Sequence, residues 1–180
     1  MTPAERFETE RLTIRRPVAG DAEAIFQCYA GDPQVTRYVS WPLHRSVEDT
    51  RQFLGFSDAQ WARWPAGPLL IETTENGRLI GGTGLAYETT ETATTGYVLA
   101  KQAWGCGFAT EALQGVVQLA ARLELTALRA RCHPFHVVSQ RVLEKNGFVR
   151  EEEPRPANFP NLPVGESREA LYYTLALPSR

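Results

Sequence analysis

The sequence predicts a mixed α+β domain: one twisted sheet of about seven strands, mostly antiparallel, with helices on both faces. Three observations predict it. Asn76-Gly77 stands between two apolar runs, Leu69 to Thr73 and Leu79 to Tyr87, and both of its positions tolerate the positive φ of a two-residue hairpin turn. From Thr95 to Asn146 the pattern reads strand, helix, strand, helix, the order of a crossover between parallel strands. Between the first strand and the first helix of that unit lie Gly105 and Gly107, which let the backbone turn sharply.

Each element has its own local signature. Leu12 and Ile14 alternate with Thr13 and Arg15 as a first strand, and Asp21 follows as the N-cap of a short helix carrying Ile25, Phe26 and Tyr29. Beyond a loop punctuated by Pro33 and Pro42, Ser46 and Asp49 have capping-box spacing. They open a second helix anchored by Phe53, Leu54 and Trp61, which ends at Pro65 at the latest. After the hairpin, Thr95 to Leu99 forms another strand, and the helix beyond the glycines carries Leu113, Val116, Val117, Ala120 and Leu123 along one stripe. Leu128, Ala130 and Cys132 alternate with Arg129, Arg131 and His133 in a fifth strand; Val137 to Asn146 is a helix stopped by Gly147. Phe148 to Glu153 reads as a sixth strand and Pro154 to Pro163 as a proline-rich surface loop. Ala170 to Leu177 closes the sheet with Leu171, Tyr173, Leu175 and Leu177 on one face.

The 180 residues, 43% of them hydrophobic, suit a single domain spanning residues 1–180 with its core at about 10–177. A formal charge of −2 with no run of Lys or Arg supplies no field for nucleic acid. Met1 to Arg11 carries Glu5, Arg6, Glu8 and Glu10 around no apolar core, so neither a leader nor a membrane span is expected. Cys28, Cys106 and Cys132 are odd in number and lack metal-ligand spacing, which fits a reducing cytoplasm and no bound metal.

The chemistry concentrates at Gln102-Ala103-Trp104-Gly105-Cys106-Gly107-Phe108-Ala109-Thr110-Glu111. The first turn of a helix offers unpaired N–H groups and the positive end of the macrodipole, so a phosphate fits there without a lysine. On spacing alone, an anion cradle and a plain tight turn both remain open. A dinucleotide-binding fold is disfavoured, because Thr110 replaces the last glycine of that fingerprint and the glycines follow several strands, not the first.

Four stretches together resemble the GCN5-related N-acetyltransferase (GNAT) superfamily, and its ribosomal-protein (RimJ/RimL-like) branch in particular. They are Glu10-Arg11-Leu12-Thr13-Ile14-Arg15, Gly96-Tyr97-Val98-Leu99, Gln102-x-x-Gly105-x-Gly107 with Ala109-Thr110-Glu111, and Ser139 to Phe148. The resemblance runs from about Glu10 to about Leu177. It implies a domain in which two central strands splay to admit acetyl-CoA. Gln102, Gly105, Cys106, Gly107, Phe108, Ala109 and Thr110 would hold the pyrophosphate, and the main chain of Val98 and Leu99 the pantetheine arm. It also implies direct attack of an amine on the thioester, with no metal and no covalent enzyme intermediate. Ser139 would donate a proton to the departing thiolate, or else simply bond its own helix start. Lys145 would reach the CoA phosphates, or else act as a cation at a helix C-terminus.

Two departures from the family pattern stand out. His136 occupies the place of an asparagine expected to contact CoA, and an imidazole can still donate one hydrogen bond there. Thr94 and Thr95 stand where many relatives carry a glutamate base, which leaves Glu72, Glu91, His44 or a relayed water for that role. The acceptor cleft is expected among Arg37 to His44 and the Pro154 to Pro163 loop, with Trp41, His44, Tyr97 and Phe159 as its walls; Trp41 reads first as a loop anchor, since large aromatics in such loops are usually buried. The implied activity is acetyl transfer to a primary amine, of a protein N-terminus or a small molecule, by a monomer or homodimer; the alternative is a non-catalytic acetyl-CoA sensor.

Overall fold

The computed structural model describes residues 4–178. Residues 1–3, part of the segment read for a leader, and 179–180, the end of the expected domain, lie outside it. The sheet has nine strands: β1 (Arg6–Glu8), β2 (Leu12–Arg15), β3 (Pro68–Thr73), β4 (Leu79–Tyr87), β5 (Thr92–Leu99), β6 (Ala127–Cys132), β7 (Val149–Arg150), β8 (Arg155–Pro156) and β9 (Glu169–Ala176). Their order is β1-β2-β3-β4-β5-β6-β9-β7, with β8 also on β9, and every pairing is antiparallel except β5 with β6.

Strand alternation splits the apolar residues between two layers. Leu69 and Ile71 of β3 join Leu12, Ile14 and Leu128 under helix α3 (Phe108–Arg122), whose Leu113, Val116 and Leu119 are buried there with Val142 and Leu143 of α4 (Val137–Lys145). Leu70 turns to the opposite face. There it meets Ile25 of α1 (Ala22–Ile25), Tyr29 and Ala30 of the π-helical turn that extends it, and Leu54 of α2 (Val47–Arg63). Arg15 of β2 pins α1 to this sheet by gripping Asp21 at 2.9 Å and Glu72 of β3 at 2.6 Å.

The structure departs from the sequence expectations in four places. Two short strands, β1 and β8, bring the expected seven to nine. The hairpin is present, but only Gly77 is left-handed, at φ 66°; the Asn76 Oδ1 accepts from Thr73 Oγ1 and the Arg78 N–H, which widens the turn beyond two residues. The sixth strand shrinks to β7, Val149–Arg150. The proline-rich segment is no mere surface loop, since Phe159 and Leu162 are buried with Ala170 in a third small core.

One feature of the pairing sets up the site. β5 follows β4 in register from Thr92's neighbour Ala93 to Leu99, and β6 follows β9 over its whole length, from Ala127 to Cys132. Between β5 and β6 only Thr92, Ala93 and Thr94 find partners, at Ala127, Leu128 and Arg129. Beyond Thr94 the two strands part and leave a gap. Leu113, at 0% exposure, packs the layer that carries this fork. Leu113→Ala is expected to cost about 2–5 kcal/mol, read as a lower urea midpoint with unchanged slope.

Candidate active site

At the end of β5 the chain passes through a short 3-10 turn, Lys101–Ala103, and enters α3 through Gly105 and Gly107, both left-handed at φ 74° and 81°. Gly107 is the N-cap residue and offers no side chain to the first turn. The main-chain N–H groups of Gly105, Cys106, Gly107, Phe108, Ala109 and Thr110 consequently donate to nothing among the described residues. Such a run of amides at a helix N-terminus is an anion site. Gln102 is exposed beside it.

The loop is held from below by a residue that local sequence reasoning missed. Arg11, at the turn from β1 to β2, donates from Nη1 to the Cys106 carbonyl at 3.0 Å and lies over the Phe108 ring at 4.7 Å. With that carbonyl occupied, the flanking amides are left without a partner among the described residues. Glu111 holds Arg11 in turn, accepting from its Nε and its main-chain N–H at 2.7 Å each and from Thr9 Oγ1 at 2.6 Å. On the other side, Asn146 Nδ2 donates to the Thr110 carbonyl at 3.3 Å and ties the end of α4 to the start of α3. Lys145 is thereby placed near the loop, exposed and without an ion pair among the described residues.

The gap opens beside this loop. Ala100 donates to the Ile80 carbonyl at 2.9 Å, so by strand alternation the Val98 amide also faces β4, and the Val98 carbonyl indeed lies against Gly81. This corrects the expectation for Val98: the main-chain groups turned toward the gap belong to Tyr97 and Leu99. The Leu99 carbonyl is already taken by Trp104 Nε1 at 2.7 Å, which leaves its N–H. Across the gap, Ser139 of α4 is buried and sits against the Tyr97 hydroxyl; burial raises the Tyr97 pKa more than that contact lowers it, so the phenol keeps its proton. Cys132 lines the same side, its thiol pushed up to about 12 by burial.

Two loops close the far side. Asn161 accepts from the Leu43 N–H at 2.8 Å and donates to the Thr36 and Trp41 carbonyls at 2.7 and 3.0 Å, and Arg37 pairs with Glu166 at 2.8 Å. Tyr38 stacks on His133 at 4.8 Å and meets His136 at 5.1 Å. Phe159 is not a cleft wall: at 2% exposure its ring edge supports His133 from within the small core. Trp41 and His44 pack on the α1–α2 layer, 5.2 Å apart, the same layer that Val98 faces.

Neither carboxylate considered as a base stands in the open part of the fork. Glu72 is bound to Arg15, and Glu91 sits at the closed end of the fork, where its carbonyl accepts from the Thr126 N–H. Glu88, not among those candidates, bonds Thr94 and Arg129 nearby. No group of three or more His, Cys, Asp or Glu among the described residues is placed to hold a metal ion.

A sheet forked beside a run of unpaired helix-start amides offers an anion site next to a slot with free main-chain groups. The chain belongs to the acetyltransferase (GNAT) domain family, which matches residues 11–149. It is 30% identical over 150 residues to an N-acetyltransferase, p20, of Bacillus licheniformis that is itself uncharacterized, covering 82% of this chain and 84% of that one. It is 29% identical to the uncharacterized N-acetyltransferase YoaA of Bacillus subtilis, covering 96% and 97%. Among solved structures, a GNAT acetyltransferase from Bacillus anthracis superimposes with TM-score 0.81 at 26% identity, covering 95% and 98%. The ribosomal L7/L12 alpha-N-protein acetyltransferase RimL, in complex with coenzyme A, shares the fold with TM-score 0.84 at 19% identity, covering 96% and 98%.

Burial alone would raise the Glu111 pKa, but the bonds from Thr9 and Arg11 outweigh it and hold the carboxyl below its ordinary 4.5. A depressed carboxylate stabilises the fold above its unfolded pKa and loses that contribution as pH falls through the folded value. Glu111→Gln is therefore expected to lower stability by about 1.5–3 kcal/mol at neutral pH. In urea titrations across pH, the gap between the two proteins should close as the solution becomes acidic.

Proposed function

We propose that this acetyltransferase uses acetyl-CoA to acetylate a primary amine, that of a protein N-terminus or a small molecule, by direct attack within a ternary complex. The observation that carries the reading is the uninterrupted run of unpaired amides from Gly105 to Thr110 beside the fork. It fits a pyrophosphate, with Gln102 beside the loop and Lys145 near the outer phosphates. The fork fits the pantetheine arm, whose amides find the Tyr97 and Leu99 main chain. One N–H there would receive the thioester oxygen, a preorganised donor of the kind worth about 2.7–4 kcal/mol.

Acetyl-CoA supplies the activated acyl group; the chain supplies position and protons. Ser139 stands where a hydroxyl can give its proton to the departing sulfur, and the Tyr97 hydroxyl beside it keeps that hydroxyl oriented. A buried serine hydroxyl beside the Tyr97 hydroxyl supports turnover over a non-catalytic sensor. A protein acceptor is supported by structural neighbours that act on ribosomal proteins.

Incubation with acetyl-CoA and a panel of amines and peptides, read as thiol release, is expected to show turnover with at least one acceptor. Tight CoA binding with none would favour the sensor. Ser139→Ala should slow turnover about 100-fold while CoA affinity holds; lost affinity with unchanged turnover would contradict the acid role. Gly107→Val places a branched side chain at φ 81°, with Arg11 Nη2 only 3.4 Å from its Cβ. Calorimetry should show CoA binding weakened about tenfold or more, as ~1–3 kcal/mol of backbone strain implies.

A further inference from the structure

We propose that His136 is the catalytic base of this enzyme, taking the proton that the acceptor ammonium must lose before it can attack. The inference rests on the acetyltransferase reading above and deepens it by naming the group that replaces the missing carboxylate.

The chain has three histidines, and their hydrogen bonds separate them. His133 is 1% exposed and fixed as a neutral tautomer: its Nδ1 accepts the Phe135 N–H at 3.2 Å, so its Nε2 carries the proton donated to the Ser167 carbonyl at 3.0 Å. It has no lone pair left. His44 commits Nδ1 to Thr50 Oγ1 at 2.8 Å and packs between Trp41 and Phe53. His136 alone has a ring whose nitrogens both lack a hydrogen bond among the described residues; its contact is the tilted face of Tyr38.

Its place in the fold matches the task. His136 is the N-cap residue of α4, and its carbonyl accepts the Ser139 N–H at 2.9 Å, so the ring and the Ser139 hydroxyl spring from one helical turn at the mouth of the fork. Tyr38 brings the other wall, from the loop that Asn161 lashes down. The ring thus lies between the helix that bears the proposed acid and the loop expected to meet the acceptor. The titratable and charged groups facing it are Tyr38 and Arg37 from that loop, with Arg37 over the Tyr38 ring and paired to Glu166, and the neutral His133. No carboxylate among the described residues bonds the ring so as to hold the imidazolium. Burial keeps the ring below its ordinary 6.5, hence neutral and able to accept near pH 7.

The protons balance. The ammonium gives one proton to His136, which passes it to solvent. The nitrogen lone pair forms the amide bond while the carbon–sulfur bond breaks with its electrons going to sulfur. Ser139 protonates that sulfur and regains the second N–H proton released as the amide forms.

The test uses full-length protein and an acceptor found in the amine panel. His136→Gln keeps a polar side chain that cannot take a proton, and His136→Ala opens space for added imidazole. Expected are a fall in kcat/KM for the acceptor of about 100-fold or more that persists at saturating acetyl-CoA, and partial rescue of His136→Ala by imidazole. Wild-type kcat/KM should drop on the acid side below pH 6.5. The His136 ring signal, assigned in NMR spectra by its loss in the variants, should titrate at that same pH, and the limb should vanish in His136→Gln. Full activity in His136→Gln with the acid limb intact, or a loss of rate matched by lost CoA affinity, overturns the base role and leaves the transferase reading standing. A wild-type protein that turns over no amine removes both.

Discussion

The parting of β5 from β6 is the constraint on which the rest of the molecule depends. Each strand is fully engaged on its outer side, β5 with β4 and β6 with β9, while their mutual pairing stops at Thr94. An unpaired buried amide costs free energy. Leaving Tyr97 and Leu99 without a ladder partner is therefore a cost that a ligand running between the strands can offset. The same fork sets α4 against the open edge, which is why Ser139 meets Tyr97 across a gap and not within a closed sheet.

The loop at the start of α3 applies the same logic at the surface. Its amides are free because Gly107 cannot cap them, and they stay presented because Arg11 takes the Cys106 carbonyl from beneath. Glu111, in the first turn of α3, neutralises that guanidinium. The electrostatic attraction for an anion thus comes mainly from oriented backbone dipoles, which suits a ligand that must be released after each turnover.

Much of this was legible in the sequence where the signal is local. The Gly105-x-Gly107 pair before an apolar stripe gave the helix start, Gly147 gave the end of α4 at φ 83°, and the alternation of Leu128, Ala130 and Cys132 gave β6. Local pattern could not supply what tertiary contacts decide. β1 and β8 are too short to show a period, and Asn76 puts its side chain, not its backbone, to use in the hairpin turn. Arg11 and Glu111 stand 100 residues apart, so nothing near either announces the other. Phe159 looked like a cleft residue because it sits in a proline-rich loop, yet that loop has a core of its own. The shift from Val98 to Tyr97 turns on strand parity, which becomes visible only once Ile80 is seen opposite Ala100.

The most direct measurement of the central claim is a backbone-amide NMR titration of the protein with coenzyme A. The fork and loop together require that the largest shifts fall on Gly105 to Thr110 and on Tyr97 and Leu99, with Val98, held against β4, moving far less. Shifts gathered elsewhere, for instance around Asp32 and Lys101, or an unchanged spectrum at saturating coenzyme, would contradict the account.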